Sequence, residues 1–429
     1  MFSVSNAIYL FLEKGTKMAL SFLSGVLLAR YLGVSEFGTL SSAISIRTII
    51  IIFCSMGLEV FAMREFSRRS RQSNEIVLSL IVIRIVTVIF STSLMCILYY
   101  YENISAVYLF LVISGILYFL EPLEYRLKSV YKSKVIAKAS IISALFSFMF
   151  KVYLIENEFS LLYISMSYIF DMLVYFCILV YLYCGVFELF NLKVKLNRVL
   201  SNVFYFSKEG FFLLFSAFSV IVYTKVDVIM LSEMNGDIDA GLYSAATRIS
   251  DIWLIIPPIL TQALIPYIAK KYKSNSEFGQ FGRSIMQITV ICSLSFIILI
   301  YFTSDFIIEL VYGDEFSASS KILQLHVIAG LFSAIGNIQA SWMYTWGLAR
   351  FAALKNVIAC CLGLALNLIL IPHFGVYGAA TATIISIFAS SVLLNVVHSK
   401  SREVFYSFWR SIFLLDLGLV ATYNVKHKL

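Results

Sequence analysis

Apolar stretches long enough to cross a membrane follow one another along the whole chain, and this feature constrains the fold more than any other. A helix needs about 20 mostly apolar residues to cross a hydrocarbon core of ~30 Å. The sequence therefore predicts an all-α polytopic membrane protein with about 12 transmembrane helices. The predicted helices are 7–32, 39–63, 76–99, 104–123, 135–155, 160–187, 204–231, 240–268, 284–302, 320–346, 351–371 and 376–398.

The composition leads to the same class of protein. Of the 429 residues, 60% are hydrophobic and 14% are charged, whereas a soluble domain is about 45–50% apolar and about 25% charged. These proportions exclude a soluble globular enzyme and a disordered protein. The net charge of +8 is explained by basic loops that face anionic lipid, so it requires no nucleic-acid partner.

Lysine and arginine are concentrated in alternate loops. The loops after the second, fourth, sixth, eighth and tenth predicted helices are basic. Because excess Lys and Arg mark the cytoplasmic side, the alternation predicts a multi-pass protein with an even number of helices and both termini in the cytoplasm. The loops that contain neither residue are 33–38, 100–103, 156–159, 232–239, 303–319 and 372–375.

A short motif of small residues recurs where three predicted helices begin. It reads Gly38-Thr39-Leu40-Ser41-Ser42-Ala43 in the second helix and Gly241-Leu242-Tyr243-Ser244-Ala245-Ala246-Thr247 in the eighth. The twelfth begins Gly375-Val376-Tyr377-Gly378-Ala379-Ala380-Thr381. Close helix packing is the simpler explanation, but the match between the second and eighth helices predicts two six-helix lobes.

These observations predict three regions: an N-terminal lobe (1–200), a C-terminal lobe (201–400) and a cytoplasmic tail (401–429). The tail contains a further apolar stretch, 404–423, that includes Arg410 and Asp416. We expect this stretch to be an interfacial helix, and a thirteenth span is the alternative.

Cations fall within the predicted spans, where an ionisable group is costly and usually faces a cavity or a partner. At 1.5 Å per residue, Arg47 lies roughly 13 Å and Arg248 roughly 10 Å below the outer surface. Arg47 has no acidic residue three or four positions away, so its partner is another helix or a ligand. Together with Lys14, Lys17 and Lys225, these arginines predict a cationic cavity that binds a phosphate-bearing headgroup, because Arg can hold phosphate bidentately.

Acidic residues in the spans suggest charge pairing or ion coupling. The candidates are Asp171, Asp227 and Asp251. The pairs Glu13–Lys17 and Arg248–Asp251 share a helix face, and Lys225 with Asp227 is a third candidate pair.

Other charged residues and prolines have simpler interpretations. We expect Arg30 and Lys151 to extend their charged ends towards the outer surface, and Arg84 has no clear assignment. Pro257, Pro258 and Pro266 predict a bend in the eighth helix.

No catalytic constellation is recognisable, and the seven cysteines lack zinc-type spacing. We therefore predict a protein that is not an enzyme and that holds no metal or cofactor, with coupling to H⁺ or Na⁺ as an open expectation.

One segment reads Leu28-Ala29-Arg30-Tyr31-Leu32-Gly33 and is followed by Glu36-Phe37-Gly38. It resembles the start of the Wzx-type O-antigen and oligosaccharide flippases of the multidrug/oligosaccharidyl-lipid/polysaccharide exporter superfamily. Further matches are Asp227-Val228-Ile229-Met230-Leu231, Gly241 through Ile249, Asn367 through Pro372, and Gly375 through Thr381. The matches extend over almost the whole chain, and their order and spacing make the resemblance more specific than any one of them.

This resemblance implies a flippase that moves an undecaprenyl-diphosphate-linked oligosaccharide across the bacterial cytoplasmic (inner) membrane by alternating access. It also implies two six-helix lobes with a cationic central cavity, in which Arg47, Arg248 and Lys17 are lumenal cations. Expected partners are the lipid-linked oligosaccharide, membrane lipids, and the polysaccharide polymerase and chain-length machinery. Two alternatives are a cation-coupled multidrug antiporter of the same superfamily and a polysaccharide polymerase. A scaffold without transport activity is a third.

Overall fold

The computed structural model describes residues 4–69, 72–102, 105–185, 194–253 and 275–413. In these ranges the regular secondary structure is helical. The chain divides into two compact units, residues 1–225 and residues 226–429. The predicted lobes, 1–200 and 201–400, stay a prediction.

Eight helices begin in the described part of the first unit. They are α1 (Val4–Ser55), α2 (Glu59–Arg68), α3 (Ser73–Glu102), α4 (Ala106–Ser114), α5 (Pro122–Ser129), α6 (Ser133–Glu156), α7 (Leu161–Cys184) and α8 (Leu196–Asn235), the last of which continues into the second unit. A 3₁₀ helix, Ile116–Leu120, joins α4 to α5.

The described part of the second unit contains five more α-helices. They are α9 (Asp237–Ser250), α10 (Asn275–Tyr312), α11 (Ser319–Thr345), α12 (Ala349–Ser391) and α13 (Arg402–Ile412). Two 3₁₀ helices, Asp314–Phe316 and Leu393–Val396, follow α10 and α12.

Seven helices in the described ranges are long and apolar enough to cross a membrane, or eight if α4, the 3₁₀ helix and α5 form one bent span. Two of these apolar segments, Leu12–Ser55 and Arg350–Val396, contain 44 and 47 residues. Each is long enough for two crossings, since one crossing takes about 20 residues. The all-α, multi-span fold class is confirmed, while the number twelve stays a prediction.

Large apolar side chains are exposed on the long helices. On α3, Val86, Ile89 and Phe90 are each at least 60% exposed. An aqueous protein rarely shows such continuous apolar surface, whereas a lipid-facing helix requires it. The exposure therefore agrees with a membrane-spanning chain.

Two predicted outer loops are reduced to a break at a single glycine. The segments predicted as loops 33–38 and 372–375 lie within α1 and α12, which bend at Gly33 (φ 70°) and Gly375 (φ 53°). Glycine is favoured at both positions because a positive φ brings a Cβ too close to the backbone. The prediction of short loops at 33–38 and 372–375 was wrong, because one left-handed residue is enough to redirect a helix.

Two predicted helices are interrupted near the ends that the sequence placed on the inner side. The predicted helix 39–63 is interrupted at Met56 and Gly57, both with positive φ, and the chain resumes as α2. The predicted helix 104–123 becomes the 3₁₀ segment and then bends by 41° into α5. Pro122 begins α5, where its missing N–H costs no intrahelical hydrogen bond.

The structure also shows the lengths of two further segments. The segment 303–319 was predicted as the longest outer loop, but α10 continues to Tyr312 because its apolar residues continue past Phe306. In the stretch 404–423, α13 ends at Ile412, so the part described is too short to be a thirteenth span.

Some sequence predictions fall outside the described residues. They concern the prolines at 257, 258 and 266, most of the predicted helix 240–268 after residue 253, the basic residues 270–273, and the end of the stretch 404–423.

Apolar clusters hold each unit together. In the first unit, Phe61, Phe206 and Tyr183 belong to one buried cluster that joins α2, α7 and α8. In the second, Trp342 of α11 packs with Met286 of α10 and with Phe408 of α13.

Candidate functional site

Arg47 lies on the second half of α1, after the bend at Gly33. Its Nε donates a hydrogen bond to Ser114 Oγ at 2.7 Å, and Tyr118 interacts with it electrostatically. Both residues lie where α4 gives way to the 3₁₀ helix. The sequence predicted that the partner of Arg47 would be another helix or a ligand, and Ser114 belongs to another helix.

The aromatic ring of Tyr168 connects Arg47 to a second cation. The Arg47 Cζ lies 5.8 Å from the ring centroid, and the Nζ of Lys151 lies 4.5 Å from the same centroid. The negative face of an aromatic ring attracts cations at such distances, and more strongly where water is excluded. Tyr168 on α7 therefore holds the side chains of α1 and α6 near one another.

Lys151 makes an ion pair with Asp171. Its Nζ lies 2.5 Å from Asp171 Oδ2 and 2.7 Å from Ser147 Oγ. The Lys151 side chain is only 7% exposed and that of Asp171 13%. The prediction that Lys151 extends to the surface was wrong, because its distance from the helix end fits both a surface position and a pair across helices.

Two buried polar atoms in this group lack a hydrogen-bond partner among the described residues. They are Arg47 Nη2 and Asp171 Oδ1. An unsatisfied buried donor or acceptor costs roughly 1–3 kcal/mol, and more when the group is charged. We call Arg47, Lys151, Tyr168 and Asp171 the Arg47 cluster. It contains two cations and one anion, so an anionic group is the ligand that would balance it.

The other cations predicted for the cavity in this unit occupy different surroundings. Lys14 and Lys17 are exposed on the first half of α1. The Nζ of Lys17 lies 5.3 Å from the Tyr175 ring, and the Tyr175 hydroxyl donates to Glu124 Oε1 at 2.6 Å. Lys225 is half-buried on α8.

A second charged cluster surrounds Arg84, which the sequence left unassigned. Arg84 is buried and pairs with Glu121, and its guanidinium also donates to the Tyr125 hydroxyl at 2.6 Å. Lys128 donates to Glu59 at 2.7 Å on the same side of α5. The only sequence signal was the unusual presence of Glu121 at the end of an apolar run.

In the second unit, the Asp227 carboxylate accepts hydrogen bonds from three side chains. Tyr243 Oη donates to Oδ2 at 3.0 Å, Asn367 Nδ2 donates to Oδ1 at 2.6 Å, and the Thr383 hydroxyl donates to Oδ2. Asp227 is 3% exposed. These contacts join α8, α9 and both halves of α12. Asn367 and Thr383 were not among the predicted site residues, although Asn367 lies in a segment that carried the family resemblance and Thr383 follows shortly after another.

Arg248 and Asp251 also lie in the second unit. Arg248 is half-buried in the last turn of α9, and Asp251 caps that helix through a bond from its N–H to Thr247 O at 2.8 Å. Arg248 acts electrostatically on Tyr312 of α10. The candidate pairs Arg248–Asp251, Lys225–Asp227 and Glu13–Lys17 stay predictions.

Among the residues that the structure describes, no group of three or more His, Cys, Asp or Glu side chains could hold a metal ion.

Comparison with known proteins identifies the family. Residues 3–272 match the sequence profile of the family described as polysaccharide biosynthesis protein. One relative, "Probable low-salt glycan biosynthesis flippase Agl15" of Haloferax volcanii, is 27% identical over 175 residues, which are 40% of this chain and 37% of the relative. The chain therefore matches well under half the length of that protein.

Two solved structures have a similar fold over nearly the full chain. One is "Lipid II flippase MurJ, inward closed conformation", with a TM-score of 0.72, 15% identity, and coverage of 97% of this chain and 92% of that one. The other is an inward-facing multidrug resistance MATE family transporter of the MOP superfamily. Its TM-score is 0.68 at 12% identity, with coverage of 95% and 96%. Both likenesses concern the fold alone.

Proposed function

The chain belongs to the polysaccharide biosynthesis protein family, and from this premise we propose that it is a flippase for a lipid-linked oligosaccharide. Its substrate would be an oligosaccharide repeat unit carried on a polyprenyl diphosphate, moved from the inner to the outer leaflet of the bacterial cytoplasmic membrane. Two similarities support a transporter of this kind. The sequence is similar to Agl15, a probable glycan biosynthesis flippase, and the fold is similar to that of the lipid II flippase MurJ.

The observation that carries the proposal is the Arg47 cluster within the apolar first unit. Arg47 holds one edge of its guanidinium on Ser114, while Nη2 is buried without a partner among the described residues. A diphosphate offers several anionic oxygens to such a donor, and hydrogen bonds between ions are about twice as strong as neutral ones. Arg47 would thus bind the diphosphate while the polyprenyl chain stays in lipid.

Lys151 has a supporting role in this proposal. Its pair with Asp171 places a second positive charge beside the Tyr168 ring. When a diphosphate approaches, the Lys151 ammonium group would donate to a phosphate oxygen as well as to Asp171. The charge of Lys151 would then stay paired throughout. Asp171 would then release the headgroup by recovering Lys151. Arg248, Lys14, Lys17 and Lys225 are proposed as further cations on the substrate's route.

Alternating access and ion coupling are parts of the same proposal. Asp227 joins three helical segments through one carboxylate, so protonation or Na⁺ binding there would change how α8, α9 and α12 are held. We therefore propose Asp227 as the group that couples transport to H⁺ or Na⁺. Asp251, at the end of α9, is the second candidate.

The direct test uses a strain that lacks this gene. We expect complete lipid-linked repeat units to accumulate on the inner leaflet and the surface polysaccharide to be lost, with both restored by the intact gene. If single repeat units still reached the surface, translocation would have survived and a polymerase would be the better assignment.

A cation-coupled multidrug antiporter is the second candidate. The MATE-like fold and the buried carboxylate of Asp227 favour it, because a cationic drug and a coupling ion both need an anionic site. The cations of the Arg47 cluster oppose it. Normal polysaccharide together with altered drug tolerance in the same deletion strain would favour the antiporter.

A further inference from the structure

A basic groove lies between α10 and α13 in the second unit. It has a volume of about 450 Å³, and its lining includes three arginines, Arg283, Arg402 and Arg410, with Glu403, Tyr406 and Ser407. We call it the α13 groove. No residue of the groove takes part in the proposed transport mechanism.

Positive charge dominates the groove. Its lining contains three arginines and one acidic residue, Glu403. Arg402 is held in place because its Nε donates to Val396 O at 2.8 Å, which leaves its two terminal nitrogens to bond elsewhere. Planar guanidinium groups suit phosphate oxygens better than lysine does, since they offer paired donors.

The helix beside the groove has the character of an interfacial helix. One side of α13 is apolar and buried, with Val404 and Phe408 at most 1% exposed in the cluster around Trp342. Elsewhere on its surface, Tyr406 and Trp409 are 59% and 37% exposed. Exposed aromatic rings beside arginines are typical of helices that lie at a membrane–water interface.

We propose that the α13 groove binds the headgroup of an anionic glycerophospholipid. The arginines would hold the phosphate, and Tyr406 and Trp409 would contact the glycerol and the first carbons of the acyl chains. The charge pattern of the sequence puts Arg283 and the chain after residue 398 on the cytoplasmic side, where the leaflet carries anionic lipid. Basic pockets against membrane helices on that side are known lipid sites.

A lipid fits the groove better than free phosphate does. A free phosphate would use the arginines alone, and the exposed aromatic rings next to them would have no role. The proposal does not depend on the transported substrate, so it can fail or succeed separately from the proposed function.

The test measures the thermal unfolding midpoint of the full-length protein in neutral detergent. We compare added phosphatidylglycerol, phosphatidylcholine and inorganic phosphate, for the wild type, the double variant R402Q/R410Q, and R350Q as a matched control. Arg350 is an exposed arginine on α12 in the same unit and does not line the groove. We expect phosphatidylglycerol to raise the midpoint of the wild type and R350Q by several degrees, and that of R402Q/R410Q by less than half as much.

Three results would overturn the proposal. The first is that phosphatidylglycerol raises the unfolding midpoint of R402Q/R410Q as much as that of the wild type. The second is that R350Q loses as much of this rise as R402Q/R410Q does, which would indicate bulk electrostatics. The third is that inorganic phosphate raises the wild-type midpoint as much as phosphatidylglycerol does, which would indicate a free anion.

A second measurement needs no variant and so does not depend on the double variant folding. Wild-type protein is photolabelled with an azido-phosphatidylglycerol in vesicles and digested. We expect the label to concentrate on the peptides that contain Arg283 and residues 399–413. Label distributed over other helices and not on these peptides would contradict the site.

Discussion

Lys151 and Asp171 form an ion pair between two apolar helices, with 2.5 Å between Nζ and Oδ2. The residues are 20 positions apart in the chain, so no pattern within one helix connects them. Removing two charges from water costs several kcal/mol each, and their attraction repays this only while both are present. The pair is therefore a sensitive test of the fold of the first unit.

The first prediction is a double-mutant cycle on this pair. The variants Lys151→Ala and Asp171→Ala should each lower the free energy of unfolding by about 3–5 kcal/mol, because each leaves one buried charge without its partner. The double variant should lose less than the sum of the two single losses. Denaturation of the purified proteins in detergent measures all four corners of the cycle. Strictly additive losses would mean that the two groups do not interact.

The second prediction concerns Arg47 and transport. Arg47→Ala should reduce surface polysaccharide at least tenfold at an unchanged amount of protein in the membrane, since Nε and Nη2 would both be lost from the site. Arg47→Lys should restore only part of the activity, because a lysine lacks the paired donors of the guanidinium.

Arg30→Ala is the matched control for Arg47. Arg30 lies on the same helix but is exposed, and its removal should leave export within a factor of two. Normal export by Arg47→Ala, or an equal loss in Arg30→Ala, would show that the Arg47 cluster is not the diphosphate site.

The sequence predicted the class of fold well and the details of the helices less well. Helices such as α6 and α7 lie within a few residues of their predicted limits, since an apolar run of the right length has few other solutions in lipid. The bends at Gly33 and Gly375 were read as loops, because a turn of one residue and a short loop have the same composition.

The candidate site was predicted only in part, for a physical reason. Depth along a helix identified Arg47 and Asp171, as an isolated charge in a span is costly wherever it points. The partners Ser114, Tyr168 and Lys151 depend on how helices are rotated about their axes, and the weak amphipathicity of membrane helices does not reveal that rotation.

The third prediction concerns Asp227 and ion coupling. Asp227→Asn keeps the size of the side chain but removes its charge, so Tyr243 and Thr383 would no longer donate to a carboxylate. We expect transport by this variant to lose most of its dependence on an imposed Na⁺ or proton gradient. Vesicles containing the protein and a labelled lipid-linked saccharide, with and without each gradient, provide the measurement. Thr383→Val should weaken the dependence less, because two donors to Asp227 remain.

If Asp227→Asn responded to both gradients as the wild type does, the coupling group would have to be sought elsewhere. Asp251→Asn, on the same helix as Tyr243, would then be the next variant, since Asp251 is the other acidic candidate at the end of α9.

The last prediction compares two glycines that differ in backbone conformation and have equal space around them. A Cβ at Gly15, inside α1, or at Gly236, before α9, would meet no atom within 4 Å. Gly236 has φ +101°, a conformation that costs other residues about 1–3 kcal/mol. Gly15 lies in a helix, where alanine is favoured over glycine by roughly 0.5–1 kcal/mol. Gly236→Ala should therefore lower the free energy of unfolding and Gly15→Ala should raise it, as measured under identical detergent conditions. Because neither change creates a clash, effects of the same sign would show that the break between α8 and α9 does not depend on the left-handed backbone at Gly236.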